Sequence, residues 1–502
     1  MIARIPQLTE RPPIVAVLGH VDHGKSTLLD FIRKTNTVEK EAGGITQHVA
    51  AYEATHQGKQ ITFIDTPGHA AFGSIRARGA NVADIAILVV AADDGVKTQT
   101  LEALASIKSA DIPFVVAINK IDMPNANIER TKASLMENGV FLEKLGGDVP
   151  WTAISAKTGA GVDELLDLIL LVAELRELKG DPVPPASGYV IEAHRDTKRG
   201  IAATLIITNG VLKQGMAVRA GSAVSPVRIM EDHAGVTIRE ANFSKPIRLT
   251  GFDELPEVGS AFSSYKNKRE AEKTRPDAIP IQPGIASRQT SDVETTEEGG
   301  HFALSIIIRA DTTGSLEAVA HEIARIGDEH SSVRIVQSGV GNISENDVKT
   351  AAASPTRVNV IGFNVGVERI AEERARQSGV TIETFDIIYK LTERIEEILR
   401  KTRPKREVEE IVGRARILKQ FSSQKNTRVI GGSVSEGYIV RNASVRIQRR
   451  NTTIGVGKLK NLQSHKQNVE RVETGSEFGA QVESVFEIAQ GDILECFTTS
   501  TV

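Results

Sequence analysis

The chain has 502 residues, 40% hydrophobic and 25% charged. That balance excludes a mostly disordered or fibrous protein and leaves length for about three to five domains. The longest apolar run, residues 85–92, is far short of the roughly 20 residues a membrane helix needs, and the N-terminus lacks the apolar stretch of a signal peptide. Cys496 is the only cysteine, so no internal disulfide can form and a reducing, cytoplasmic compartment is expected. The net charge of −3 argues, taken alone, against a nucleic-acid partner. Residues 411–471, however, hold thirteen Lys and Arg against Glu436 and Glu470, a local +11 that leaves about −14 for the remainder. Such a block is a candidate footprint for a polyanion; the plainer reading is a solvated basic face.

In chain order, residues 1–10 are an N-terminal extension, and residues 11–180 alternate strand and helix. IVAVLG, ITFID, IAILVVAA, FVVAIN and WTAIS have strand length. Helices are predicted over Lys25–Lys34 and Val162–Lys179, the second with apolar residues at Val162, Leu165, Leu166, Ile169 and Val172 and its stop at Gly180. This alternation predicts a doubly wound α/β domain. Residues 181–270 open on Pro182, Pro184 and Pro185 and continue as short strands with Gly turns, which predicts a β-barrel. Residues 271–300 read as a linker. Residues 301–403 return to β-α alternation, a two- or three-layer α/β domain with a helix from Ser315, an N-cap at Ser344 paired with Asp347, and a last helix to about Lys401. It lacks a G-x-G-x-x-G fingerprint, so it reads as a spacer. Residues 404–502 are strand-rich, a second barrel. Gly210–Arg219 and Gly437–Arg446 share Gly, an aliphatic two residues on, Val at the eighth step and Arg at the ninth. Two ordinary hairpins or two related barrels both account for the match.

The strongest motif runs from Gly19 through His20, Val21, Asp22, His23, Gly24, Lys25 and Ser26 to Thr27, after a strand and into a helix. Its backbone N–H groups and helix N-terminus suit phosphate. Lys25 is placed to neutralise β- and γ-phosphates, and the Ser26 hydroxyl to bind Mg²⁺. Asp65, closing the strand ITFID, is placed to hold the metal through water, and the N–H of Gly68 to sense a γ-phosphate. Thr46 lies between these motifs, where a loop hydroxyl can reach Mg²⁺ and let go after hydrolysis. Asn119, Lys120 and Asp122 end the strand FVVAIN. A carboxylate there accepts the N1 and N2 donors of guanine, a pair adenine lacks, and a site built on such bonds rejects the wrong base strongly. Ser155, Ala156 and Lys157 complete the base pocket. Together these residues predict a Mg²⁺-dependent GTPase.

The stretches GHVDHGKS, GGITQHVAAY, DTPGHAAF, RARGA, VVAADDGV, INKID and SAKTG resemble those of bacterial-type translation initiation factor 2. The resemblance continues through GYVIEAH, RADTTGSLEA, SGVGNISENDV and IGFNV, covers nearly the whole chain, and weakens over the last hundred residues. It implies a P-loop GTPase domain, a β-barrel, an α/β domain and a C-terminal barrel holding the acylated end of initiator tRNA. It implies that His69 helps position the attacking water, that Val21 is an apolar neighbour of that water, and that Asp22 sits by a monovalent cation. The implied partners are the small and large ribosomal subunits, initiator formyl-methionyl-tRNA and other initiation factors. The implied state is a monomer without a membrane, in the cytoplasm or alternatively an organellar matrix.

Four departures from the family pattern stand out. Only about ten residues precede the first strand, where the family usually has a long region, so a short form or a trimmed chain is expected. The link into the third domain is short and holds Pro280 and Pro283. The loop usually reading MPQT is Lys97-Thr98-Gln99-Thr100. The tRNA-binding barrel of the family typically carries two cysteines, and Gly432 and Phe478 stand at the matching positions. Cys-to-Gly removes volume and Phe478 adds it, so a repacked pocket is expected. Arg414, Arg416, Lys419, Lys425, Arg428, Arg441 and Arg446 are the candidate contacts to the tRNA backbone, which position RNA without specifying sequence. An elongation-type carrier of aminoacyl-tRNA is a competing reading, disfavoured by the α/β segment at 301–403. A nucleotide-regulated scaffold without catalysis is another, disfavoured by the complete set of catalytic-site residues.

Overall fold

The structure is a computed structural model; its described residues are all except 1–7, 35–48, 197–198, 276–301, 329, 404–406, 425–426, 451, 466 and 502. The chain divides into two compact units, residues 1–402 and 403–502.

In the first unit the apolar runs become the middle of a six-stranded sheet. Its strands are β1 (Ile14–Gly19), β2 (Ala50–His56), β3 (Lys59–Asp65), β4 (Ile85–Ala91), β5 (Phe114–Asn119) and β6 (Trp151–Ala153), in spatial order β2-β3-β1-β4-β5-β6. All neighbours are parallel except the β2–β3 hairpin. Every residue of β1 and β4 is buried, as in a sheet covered by helices on both faces. Helices α1 (Lys25–Arg33), α2 (Gly73–Val82), α3 (Thr98–Ala110), α4 (Ile128–Glu137) and α5 (Val162–Leu175) provide that cover. The chain leaves β1 for β3 on one side and reaches β4 on the other, so a crevice opens at the C-terminal end of β1. The expected helix stop at Gly180 is corrected. The buried stripe of α5 ends at Ala173, the helix ends at Leu175, and Glu177 turns the chain with φ 49°. Lys179–Gly180 then pairs with Thr9–Glu10 as a short antiparallel ribbon.

An eight-stranded antiparallel sheet follows, built from strands between Ser187 and Tyr265. It curls back on itself, and Asp253 N–H donates to the Val224 carbonyl at 3.1 Å. Inside it lie Val190, Leu205, Val218, Leu249 and Phe262. Helix α6 (Lys268–Lys273) leads toward the expected linker, most of which lies outside the described residues.

The α/β segment carries β7 (Phe302–Ala310), β8 (Ser331–Val340), β9 (Val358–Phe363) and β10 (Ile382–Phe385), parallel in the order β8-β7-β9-β10, with Gly327–Asp328 antiparallel on the edge. Its helices are α7 (Thr313–Ile323), α8 (Glu345–Ala353), α9 (Arg369–Ser378) and α10 (Ile388–Thr402). Ala318, Ile323, Leu391 and Ile395 pack on one face of the sheet, and Val348, Ala351, Ala371 and Ala375 on the other, so the segment has three layers. Helix α7 begins two residues before the expected Ser315, because the Thr312 hydroxyl caps it by accepting Ser315 N–H at 3.1 Å. The capping box of Ser344 and Asp347 is present at α8.

The second unit is an antiparallel barrel. Its long strands, Glu407–Gln424 and Thr427–Val440, pair with each other and with the rest of the sheet, closing the ring. Ala415, Ile430, Val445, Leu459, Val482 and Leu494 fill it.

Neither repeated ten-residue stretch is a hairpin, since in each the two strands pair with other strands. The stretches nevertheless match bond for bond. Gly210 and Gly437 have φ 76° and 63°, and Gly215 and Asn442, at the fifth step, have 93° and 65°. Gly215 N–H donates to Val227 and Val227 N–H back to Met216; Asn442 N–H donates to Leu459 and Leu459 N–H back to Ala443. Gln214 and Arg441 donate to Arg239 and Glu470 at the same step. The shared ladder favours two related barrels.

Candidate functional site

The crevice at the end of β1 gathers four loops. The first is the phosphate loop, and one glycine in it and one in the loop after β3 meet constraints that few residues satisfy. Gly24 has φ +83°, and a Cβ there would lie 2.4 Å from the Asn119 amide nitrogen. A Cβ on Gly68 would lie 2.4 Å from Lys25 Nζ and 3.1 Å from Val21 N, so the loop after β3 touches the phosphate loop. Lys25 is buried, with Nζ donating to the carbonyls of Gly19 (3.0 Å) and His20 (2.6 Å). Burial pushes it down to about 8, against the attraction of Asp65. Burial disfavours the ammonium, and the negative charge of phosphate oxygens in place of neutral carbonyls would favour it again. Asp65 is itself buried at the end of β3. Ser26 is half-buried in the first turn of α1, Thr27 is exposed, and Thr46 lies outside the described residues.

His23 is buried and contributes its backbone. Burial, then the neighbouring His20 ring 4.9 Å away, pushes it down to about 4. Its carbonyl accepts Asn119 Nδ2 at 2.8 Å, while Asn119 Oδ1 accepts Ala156 N–H at 2.9 Å. Asn119 is 1% exposed. It therefore ties the phosphate loop to the base loop, and both ends of its amide are committed within the protein. Asp122 points into solvent with Oδ1 accepting the Ser155 hydroxyl at 2.7 Å, and that bond holds its carboxyl below the usual range. Lys120, with φ 63°, and Lys157, exposed, flank it. Asp22 is exposed with φ 61°.

His69 is buried. Its Nδ1 accepts Ala71 N–H at 2.9 Å and so caps a 3₁₀ turn over Ala70–Phe72. Burial first, and Arg76 against it, lower its affinity for a proton. Three neighbours escape sequence reasoning. Arg76, 2% exposed, donates to the carbonyls of Gly68 (3.1 Å) and His69 and pairs with Glu102 at 2.5 Å; the only signal was its place in RARGA. Gln99 Oε1 accepts Val21 N–H at 2.9 Å, from within the loop that departs from MPQT. Tyr389, from α10, packs on the His69 ring; 320 residues of sequence separation hide it.

In the barrel of the second unit, Phe478 is buried in the core. A Cβ on Gly432 would meet the Phe478 ring at 2.8 Å and the Arg416 carbonyl at 2.5 Å. The ring thus fills the volume that Gly432 gives up. The candidate cations are unequal. Arg414 and Arg446 converge on buried Glu495 at 3.0 and 3.2 Å, and Arg441 pairs with Glu470 at 3.3 Å. Arg428 is buried, Arg416 and Lys419 are exposed, and Lys425 lies outside the described residues.

A phosphate loop whose lysine touches a DTPGH loop, stitched by Asn119 to a base loop with Asp122 in solvent, defines a P-loop guanine-nucleotide domain of the translational GTPase class. Residues 10–174 match the Elongation factor Tu GTP binding domain family, residues 185–265 Elongation factor G domain 2, and residues 285–396 Translation-initiation factor 2. Translation initiation factor IF-2 of Rubrobacter xylanophilus is 43% identical over 98% of this chain and 72% of its own length; that of Lysinibacillus sphaericus is 42% identical over 99% and 66%. The crystal structure of GDP-bound aIF5B from Aeropyrum pernix is 27% identical, over 97% of this chain and 92% of that one, with a TM-score of 0.46. The chain belongs to the translation initiation factor IF-2 family and is a GTP-dependent translation factor. No helix among the described residues is long and apolar enough to cross a membrane.

Proposed function

We propose that the chain binds GTP with Mg²⁺, promotes placement of initiator formyl-methionyl-tRNA on the small ribosomal subunit, and hydrolyses GTP when the large subunit joins. The observation that carries this reading is the meeting of Lys25, Val21 and Gly68 in one crevice. A γ-phosphate bound by Lys25 there falls within reach of the Gly68 N–H and reports its presence to the loop that carries His69. Ser26 and Asp65 supply hard oxygen donors, and no group of three or more His, Cys, Asp or Glu among the described residues forms a cage. Such a sparse set fits Mg²⁺, which takes most of its ligands from phosphates and water. Held by Ser26 and Asp65, such an ion would supply charge neutralisation for the transferring phosphoryl group. Gly19–Thr27 hold the phosphates, and Asp122, Ser155, Ala156 and Lys157 hold the base, with Lys120 alongside. Asn119 keeps the two loops in register. His69 orients the attacking water, Val21 lies against it, and Asp22 faces a monovalent cation. The chain works as a cytoplasmic monomer alongside other initiation factors. The domain limits proposed from sequence, 11–180, 181–270, 301–403 and 404–502, give these steps their separate bodies.

His69→Ala should leave GTP affinity within about twofold of the parent, because the ring's contacts are with Ala71, Phe72 and Tyr389 and a residue acting only in the transition state adds nothing to ground-state binding. Ribosome-stimulated phosphate release should fall by about a hundredfold or more, the usual weight of a positioned acid–base group. Undiminished ribosome-dependent turnover would remove His69 from the mechanism.

A further inference from the structure

Within the first unit, the α/β segment and the sheet between Ser187 and Tyr265 enclose a cavity of about 470 Å³, inside the size range of small-molecule sites. The α/β segment contributes the carboxyl end of its parallel strands. Asp311 and Thr312 follow β7, Gly341 and Asn342 follow β8, and Asn364 and Val365 follow β9; all six line the cavity. The chain leaves β7 for β8 on one side and returns to β9 on the other. The cavity therefore stands at the switch point, where open α/β sheets bind their ligands. The barrel supplies the facing residues, among them Arg195 near the end of the strand Ser187–Asp196 and Arg248 from the strand Pro246–Phe252. The two walls are joined directly. His194 forms a β-bridge with Thr312, and the Thr313 hydroxyl donates to the Ala193 carbonyl at 3.4 Å.

What this cavity holds in reserve is donors. Arg195 is exposed, and its stem passes over Gly341, where a Cβ would stand 3.5 Å from its Cδ. Its guanidinium has no partner among the described residues, and neither has the side-chain amide of Asn364, a residue with φ 52°. Asn342 Oδ1 accepts the Gly366 N–H at 3.3 Å, and its NH₂ has no partner among the described residues. Arg248 donates Nη2 to His194 at 2.7 Å, while its Nε is buried without a hydrogen bond. The carboxylates, by contrast, are engaged. Asp311 accepts the Thr312 N–H at 2.8 Å, and Asp196 accepts the Arg199 N–H at 2.9 Å. Burial first, and Asp311 after it, push Glu192 up to about 8, so at pH 7 it is mostly neutral. Guanidinium groups with open N–H donors suit a phosphate. Amides, which both donate and accept, suit hydroxyls. No Phe, Tyr or Trp among the described residues lines the cavity, and Val365 is its one aliphatic residue, so a nucleobase finds no stacking surface. We infer that the cavity binds a small sugar phosphate, its phosphate on Arg195 and its hydroxyls on the amides of Asn342 and Asn364. The site is separate from the GTP crevice. It gives the α/β segment, read from sequence as a spacer, a ligand of its own.

The test is calorimetric titration of ribose 5-phosphate into the full chain loaded with GDP, so that the phosphate loop is already filled. One saturable site with Kd below about 1 mM is expected. Inorganic phosphate and ribose should each bind about tenfold or more weakly, since each offers only part of the recognised groups. Arg195→Ala removes the guanidinium. Asn364→Asp keeps a side chain that tolerates the left-handed backbone and replaces a donor with a negative charge. Each should weaken ribose 5-phosphate about tenfold or more, the weight of a hydrogen bond to a charged group. GDP affinity should stay within about twofold of the parent in both, as expected of a distant site, and unchanged melting curves without sugar phosphate separate lost binding from lost folding. Absence of saturable binding would overturn the site. So would affinity within about twofold of the parent in either variant. Inorganic phosphate binding as tightly as ribose 5-phosphate would overturn the assignment to sugar phosphates. A short RNA that binds where ribose 5-phosphate does not would overturn the small-molecule reading.

Discussion

Asp122 shows how a single exposed carboxylate earns a reading. Its side chain stands in solvent, one oxygen held by the Ser155 hydroxyl, so its position is fixed while its acceptor capacity stays open. Guanine offers two N–H donors to such a group. Asp122→Asn replaces an acceptor with a donor and sets N–H against N–H. GTP affinity should fall by about a hundredfold, the weight of two charge-assisted hydrogen bonds, and xanthosine triphosphate, which offers an acceptor at the same edge, should bind in its place. Competition binding with the two nucleotides checks this, and undiminished GTP affinity would sink the base-pocket assignment. Asn119 gives a contrasting lesson. Sequence spacing proposes it for the base pocket, and in the structure it lies between the His23 and Ala156 loops. Its amide, however, is spent on His23 and Ala156, so it shapes the pocket as a fastener between loops.

At the scale of elements, Asp347 joins two functions that sequence showed only in part. The Ser344–Asp347 spacing announced a helix start, and Asp347 does accept the Ser344 N–H at 2.9 Å and its hydroxyl at 2.8 Å. The same carboxylate, fully buried, also takes Arg309 Nε at 3.0 Å and Nη2 at 2.5 Å from β7. Burial works to raise its pKa; the Arg309 and Ser344 bonds outweigh that and hold it below the ordinary 3.8. Its contribution to stability is therefore complete above about pH 4 and is lost as pH falls through the lower, folded value. Asp347→Ala strands the Arg309 guanidinium and should cost about 3–5 kcal/mol. Ser344→Ala removes only the cap and should cost about 1 kcal/mol. Thermal unfolding of the two variants at pH 7 and at pH 3 checks both magnitudes. The gap between Asp347→Ala and its parent should narrow in acid. The contrast marks what was legible. The Ser344 cap and the strand runs are local patterns, and they stand in the chain where sequence placed them, while the start of α7 falls two residues earlier than expected. The stop of α5 was misplaced because it depends on where the buried stripe ends, at Ala173, and on what the next residues pair with. The pairings of Asp347 with Arg309 and of His69 with Tyr389 join distant segments, and no spacing rule reaches that far.

For the molecule as a whole, the +11 block must be recounted over a folded unit. Residues 403–502 hold sixteen Lys and Arg against eleven Asp and Glu, a net +5. The missing acids come from outside the sequence window and sit on the basic side chains. Glu495 takes Arg414 and Arg446, Asp492 takes Arg449, Glu483 takes Lys460, and Glu473 takes Arg471. Several of the cations that looked available for RNA are thus held by the barrel's own acids. Arg416, Lys419, Arg450 and Lys458 make no ion pair with another described residue. If initiator tRNA docks on this barrel, these few cations carry most of the phosphate contacts. Each neutralised phosphate adds about 0.7–0.9 to the slope of log affinity against log salt. Binding of initiator tRNA to the full chain should then follow a slope of about −2 to −4 between 50 and 200 mM salt. Arg416→Ala and Lys419→Ala together should flatten it by about 1.5, with their effect spread evenly over tRNA sequences. Arg414→Ala should act differently. It removes one of two arginines from buried Glu495, so thermal stability should fall while the salt slope stays nearly unchanged. Filter binding across the salt series, beside a melting curve for each variant, separates the two groups of arginines. A slope steeper than about −6, as engagement of most of the basic block would give, would mean that tRNA displaces the internal ion pairs and that the barrel opens its acids to receive it.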